Sequence, residues 1–200
     1  MTILYEKDWI REEWFTTEYQ AHKRENFELV DAYLTQAPKT ILDIGCGLAW
    51  ESRYFNLKHG SMLHLLDGDY DDNAQDGRVQ KQARYSETVK DFAFYYKLDF
   101  LRQQLDQLNT QNYTLIDCNR INLPDNVKFD LITSWVSCGF HYPASSYRDL
   151  IVKHSHPGTI VVMDLRIPAK QQDPIVESGV EIVEAINRRR KYATCHIRFV

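Results

Sequence analysis

Five short apolar runs, separated by stretches with helical spacing or by polar connections, constrain this 200-residue chain more than any other feature. Residues 40–44, 62–66, 113–117, 129–135 and 159–164 read as buried strands. Between them, helices are predicted over 48–58, with Gly60 as the stop, over much of 87–108, where Leu98, Leu101, Leu105 and Leu108 share a face, and over 144–155, closed by Pro157-Gly158. Strands alternating with helices predict a parallel sheet covered on both faces. The final stretch breaks this rhythm. "GVEIVEAI" and "YATCHIRFV" flank a polar "NRRRK", which predicts a hairpin over 180–200, with Ala193, Cys195, Ile197 and Phe199 on one face. The predicted fold is α/β, a Rossmann-like doubly wound sheet, mostly parallel, ending in an antiparallel hairpin.

A single domain is expected over 1–200. Residues 1–37 form an N-terminal helical segment or lid, whose start is rich in aromatic residues (Tyr5, Trp9, Trp14, Phe15). Thr17 and Gln20 have capping-box spacing, Phe27, Val30 and Leu34 fall on one face, and Pro38 predicts an end at Ala37. The long segment between the second and third strands makes 70–96 an insertion or cover. Its 70–84 part reads as a mobile cover or a surface loop, and "DFAFYY" as core packing.

Composition excludes several classes. With 28 acids against 24 bases the net charge is −4, which gives no general attraction to nucleic acid or to an anionic membrane. No apolar run reaches membrane length, and "MTILYEKDW" carries charge where a signal peptide needs apolar length. Cys46, Cys118, Cys138 and Cys195 are widely spaced with no CxxC, so free thiols and a cytoplasmic setting are expected. No metal motif is present. His154 and His156 are expected to be exposed, and "DGDYDD" lacks EF-hand spacing.

The most informative stretch is "LDIGCG", at the end of the first strand. Glycines there allow a ligand to approach the backbone, and the next helix offers free N–H groups. Phosphate binding fits poorly. The dinucleotide pattern GxGxxG/A meets Trp50 at its last place, with Ala49 one place early, and the Walker GK[ST] is absent. An acid before the turn, Asp43, suits a cation or an amine instead.

In this acid-x-Gly-x-Gly turn the chain resembles the class I S-adenosylmethionine-dependent methyltransferases over roughly residues 17–165. The resemblance implies S-adenosylmethionine as cofactor, with Asp43, Gly45, Cys46 and Gly47 along its methionine part. It implies an acid at the end of the next strand for the ribose hydroxyls, either Asp67, beside Gly68, or Asp69. It implies a polar residue near the adenine, from Asp117, Cys118 and Asn119, of which Asn119 is favoured by its distance from Leu123-Pro124. "FDLITSW" resembles the family's fourth strand, so Ser134 and Trp135 would face the reacting methyl. "SWVSCGFHYP" and "VVMDLR" also look like a small stand-alone bacterial and viral group with "SWGFHYP"-type signatures.

The expected reaction is methyl transfer to a small molecule or sugar, at oxygen, by in-line displacement. The amino-methylating [DNS]PP[YFW] signature and a Pro-Cys nucleophile are both absent. His141 is the candidate base, because neutral imidazole accepts a proton near pH 7. Tyr142, Asp164 and Arg166 are candidate acceptor contacts, with a structural turn and a surface ion pair as the plainer readings. Trp50 is a packing residue or a wall beside the sulfonium, and Cys138 a packed thiol. Residues 188–191 form a solvated turn or a phosphate contact. The alternatives are an acceptor that is RNA, a nucleotide or a protein, and a non-catalytic binding module. The sequence sets no oligomeric state.

Overall fold

The computed structural model describes residues 14–68 and 98–200. The other residues, including Asp69, the whole 70–96 segment and the first half of the predicted 87–108 helix, lie outside the described part.

Helix α1 (Thr17–Tyr33) is capped by Thr16, whose hydroxyl accepts from the Tyr19 N–H at 3.1 Å. The cap is thus one residue earlier than the Thr17–Gln20 spacing predicts, and the helix ends at Tyr33, short of Ala37. Phe27 and Val30 are buried as expected. Phe27 meets Phe55 edge-on at 4.7 Å, which docks α1 on α2 (Trp50–His59). Helix α2 starts two residues later than predicted because Ala49 takes a left-handed conformation (φ 53°), and Gly60 (φ 69°) closes it.

The other elements, in chain order, are β1 (Thr40–Ile44), β2 (Met62–Asp67), α3 (Leu98–Gln107), β3 (Tyr113–Asp117), β4 (Leu131–Ser134), β5 (Ser137–Tyr142), a 3-10 turn (Ala144–Tyr147) leading into α4 (Arg148–His154), β6 (Ile160–Arg166), β7 (Val180–Arg188) and β8 (Tyr192–Phe199). Seven strands form one sheet in the order β3-β2-β1-β4-β6-β8-β7. β1 pairs in parallel with β2 and β4, β2 with β3, and β4 with β6, whereas β8 runs antiparallel to β6 and β7. This is the mostly parallel, doubly wound sheet with a closing hairpin that the sequence predicts.

Alternation sends side chains to two cores. On one face Ile41, Leu63, Leu65 and Leu131 pack under α1, α2 and α3 with Phe55 and Leu101. On the other Leu42, Ile44, Ile132, Val161 and Met163 pack with Phe129 and Ile151. Each fully buried side chain of this size contributes about 1.5–3 kcal/mol, so the two cores fix the register, and with it the level at which every strand ends.

Two features depart from the sequence reading. β5 lies against β6 but outside the seven-strand order. Gly139 (φ 89°) allows this, because a Cβ there would come within 2.9 Å of the Leu165 side chain. His154, expected to be exposed, is buried beside Phe129 with Nδ1 2.9 Å from the Val127 carbonyl. Among the described residues no helix is long and apolar enough to cross a membrane.

Candidate functional site

Strand order reverses between β1 and β4, and in open α/β sheets ligands bind in the crevice beyond the carboxyl ends at such a point. A cavity of about 370 Å³ opens there. The turn after β1 supplies Gly45, Cys46 and Gly47, the end of β2 supplies Asp67 and Gly68, and the segment after β3 supplies Cys118 and Asn119. Trp135, Val136 and Ser137 follow β4, and His141 and Tyr142 end β5.

The parallel register levels these tips. Ile44 is paired with Leu66 and Asp67 with Asp117, so turn, acid and amide face one crevice. The Gly47 N–H donates to Asp67 Oδ2 at 2.8 Å and the Gly68 N–H to Oδ1 at 2.7 Å. Two backbone donors therefore hold both carboxylate oxygens in place, and a carboxylate fixed in this way is the kind of acceptor that suits adjacent hydroxyls. Asn119 donates its backbone and side-chain N–H groups to Asp117 Oδ1 at 2.8 and 3.0 Å, which fixes the loop after β3. Gly45 (φ 67°) is the tightest point of the turn, since a Cβ there would lie 1.8 Å from Ser137 Oγ.

Four of the sequence candidates lie outside the cavity lining. Asp43 is fully buried beneath the turn and accepts from the Ser52 hydroxyl, and burial pushes its carboxyl up to about 7. Ser134 is buried as well. Its hydroxyl donates to the Ile44 carbonyl and accepts from the Cys138 N–H, both at 2.8 Å, tying β1, β4 and β5 together. Asp164 is buried because β6 runs on to Arg166. It accepts from the Val136 N–H at 3.0 Å and from the Thr194 hydroxyl at 2.6 Å, and burial raises it to about 7. Its bond to Val136 holds a β-branched residue in a left-handed conformation (φ 50°), a rare state that aims the chain into the crevice. Arg166 lies on a different groove, with its guanidinium 5.5 Å from the Phe140 ring. Cys138 is fully buried, and its thiol is pushed up to about 12 by burial.

The structure also brings in residues that the sequence reading passed over. Helix α1 turns Tyr19, His22 and Lys23 to the cavity, where they meet Glu51 of α2 and Tyr192 of β8. Lys23 Nζ donates to Glu51 Oε1 at 2.8 Å, and Asn26 adds a bond to the same oxygen at 3.3 Å. Burial opposes the Lys23 charge, but the Glu51 carboxylate outweighs it and holds the ammonium above its ordinary range. His22 Nε2 lies 3.1 Å from the Tyr192 hydroxyl. Burial, helped by the Arg189 and Lys23 charges, lowers the His22 pKa, which favours the neutral imidazole beside the crevice. The spacing of Tyr19, His22, Lys23 and Asn26 is the signal that would have found them, a polar stripe at helical period on a face that turns inward.

The aromatic walls are Trp14, Trp50, Trp135, Tyr142 and Tyr147. Arg53 covers one face of Trp50 at 4.7 Å, and Phe15 meets that ring edge-on. The indole N–H groups of Trp50 and Trp135 are buried with no hydrogen-bond partner among the described residues. Among the described residues no cluster of three His, Cys, Asp or Glu side chains could hold a metal ion.

A seven-stranded sheet of this order, closed by an antiparallel hairpin, with its crevice at the β1/β4 reversal, is the fold of S-adenosylmethionine-dependent methyltransferases of known structure. A SAM-dependent methyltransferase from Aquifex aeolicus matches it with a TM-score of 0.55 at 10% identity, over 89% of this chain and 97% of its own. The plantazolicin methyltransferase BpumL in complex with SAH matches with 0.54 at 15% identity, over 80% of this chain and 53% of its own. A mutant of MtNAS in complex with S-adenosylmethionine gives 0.60 at 10% identity, over 98% of this chain and 68% of its own. The aligned part of this chain thus covers about half the length of BpumL. The likeness is one of fold. No family model and no curated protein sequence matches the chain.

Proposed function

We propose that the chain is an S-adenosylmethionine-dependent methyltransferase acting on a small-molecule or sugar acceptor at oxygen. The observation that carries this reading is the Asp67 carboxylate, held by the Gly47 and Gly68 amides at the rim of the crevice. The donor set fits the cofactor. Asp67 would accept from the ribose hydroxyls, Cys118 and Asn119 would border the adenine, and Gly45, Cys46 and Gly47 would give the methionine part close access to backbone.

When bound, S-adenosylmethionine supplies an activated methyl with a neutral thioether as leaving group. The protein's part is to hold the acceptor in line and keep water out, which accounts for much of the acceleration in such displacements. Trp135 and Tyr142 wall the reacting end, and Val136 is held into it by Asp164. His141 takes the proton of the acceptor hydroxyl. Asp43 and Ser134 act beneath the site as supports for the turn and for β5.

Isothermal titration with S-adenosylmethionine and with S-adenosylhomocysteine tests the reading. Micromolar binding of both is expected, and absence of binding to either removes the function.

A further inference from the structure

A second groove, about 550 Å³ in volume, is lined in part by Phe140, the chain neighbour of His141 in the cavity wall. It is lined by Phe140, by the segment from Arg166 to Gln171 and by Arg190 and Lys191 of the β7–β8 turn. The Ile167 N–H donates to the Lys191 carbonyl at 2.8 Å, so the segment after β6 and the hairpin turn form one floor. Arg166, Lys170, Arg190 and Lys191 bring four positive charges to a chain whose net charge is −4, and no acid is among the lining residues. None of the four ion-pairs with an acid among the described residues, and the last three are exposed.

The groove is close to the site. The Phe140 ring centroid stands 4.8 Å from that of the His141 ring and 5.5 Å from the Arg166 guanidinium. The same ring meets Tyr192, a wall of the cavity, at 6.0 Å. One aromatic ring therefore touches both the candidate base and a groove cation.

We propose that this groove is the subsite for a phosphate or diphosphate carried by the methyl acceptor, which lies across Phe140 with its hydroxyl at His141. The proposal rests on the methyl-transfer reading and narrows it to a phosphorylated small molecule. Four cations with no acid call for a group with several negative charges, and arginine forks match phosphate oxygens. A single carboxylate would leave most of the positive charge unmatched. The basic surface is also bounded. Arg188 pairs with Asp173, Arg189 with Glu25 and Arg198 with Glu181, so the charge stops at the groove instead of running along the hairpin as a polynucleotide track would.

The test uses the whole chain saturated with S-adenosylhomocysteine. Inorganic pyrophosphate is titrated in while the amide resonances of residues 166–171 and 190–191 are followed by NMR. Saturable shifts confined to these residues are expected. They should weaken by about tenfold or more in Arg190→Gln/Lys191→Gln, whose side chains are exposed, and in Arg166→Gln. Affinity for S-adenosylhomocysteine should stay within about twofold in each variant, as for independent sites. Pyrophosphate shifts that are absent, or that the substitutions leave unchanged, overturn the subsite. A single-stranded RNA oligomer that binds the groove more tightly than pyrophosphate, with a steeper salt dependence, overturns the small-molecule assignment. Pyrophosphate binding in a protein that does not bind S-adenosylhomocysteine keeps the anion site but removes its role as an acceptor subsite, which separates this proposal from the one it rests on.

Discussion

The Gly47 amide donates to the Asp67 carboxylate over 2.8 Å, so the turn after β1 and the tip of β2 are one hydrogen-bonded unit. Asp67→Ala removes the ribose acceptors and this brace together. Affinity for S-adenosylhomocysteine should fall about 10- to 100-fold by calorimetry, the loss of charged hydrogen bonds. An unchanged affinity in a folded variant would displace Asp67 from the ribose.

The two glycines of the turn should respond differently. In Gly45→Ala the new methyl would lie 1.8 Å from Ser137 Oγ at a φ of 67°, and destabilisation of about 3 kcal/mol or more is expected. In Gly47→Ala the nearest atom, on Trp14, is 3.9 Å away, so only the left-handed conformation (φ 53°) costs, about 1 kcal/mol. Denaturant midpoints that rank the two the other way would contradict the close approach of β5 to the turn.

The Lys23–Glu51 pair is buried at both ends. Lys23→Met leaves the Glu51 carboxylate without its cation and should cost about 3–5 kcal/mol, whereas Lys23→Met/Glu51→Leu should recover much of that. Chemical denaturation of the two variants checks this, and equal stabilities would mean that the pair is not coupled.

His141→Ala should lower turnover by about 10²- to 10⁴-fold on the acceptor that a labelled-methyl screen returns, with S-adenosylhomocysteine affinity retained. His22→Ala is the comparison that matters, because His22, 3.1 Å from the Tyr192 hydroxyl, is a second imidazole lining the same cavity. If His22→Ala loses turnover and His141→Ala does not, the base belongs on α1.

Asp164 gives a pH prediction. Burial raises its carboxyl from 3.8 to about 7. The folded state then holds this proton more tightly than the unfolded state does. The resulting stabilisation is complete below about pH 4 and is lost as pH rises to 7, at up to about 1.4 kcal/mol per pH unit. Asp164→Asn lacks this dependence, so its deficit in Tm against the native protein should be largest at pH 5 and shrink by pH 8. Taking the difference cancels His22, His64 and His196, whose lowered pKa values act in the opposite sense in both proteins. A deficit that stays constant with pH would show that Asp164 is charged in the folded state.

Most of the sheet was legible because its strands are short apolar runs bounded by turn residues, and the closing hairpin because its alternation is clean. β5 was not legible. Gly139 and Pro143 make "SCGFHYP" look like a loop, and only the close approach to Leu165 shows why a glycine sits in a strand. The rim residues Gly45, Gly47, Asp67 and Asn119 could be read because each lies at the end of a strand or within three residues beyond it. Asp164 was misplaced because β6 continues two residues beyond the apolar run, which buries it and carries Arg166 past the crevice to the second groove. The wall from α1 was missed because Phe27, Val30 and Leu34 drew attention to the helix's apolar face, whereas Tyr19, His22 and Lys23 act through polar atoms whose partners, Glu51 and Tyr192, are distant in sequence.

The contact between His22 and Tyr192 spans 170 residues. As the protein leaves the ribosome, its glycine turn and the Asp67 strand emerge early and can pair, but the wall that Tyr192 completes waits until nearly the whole described chain is out. During synthesis, then, the chain has a rim before it has an enclosure. Any ligand that needs the closed cavity will bind only once β8 has emerged and paired, so its binding reports that the late hairpin has folded.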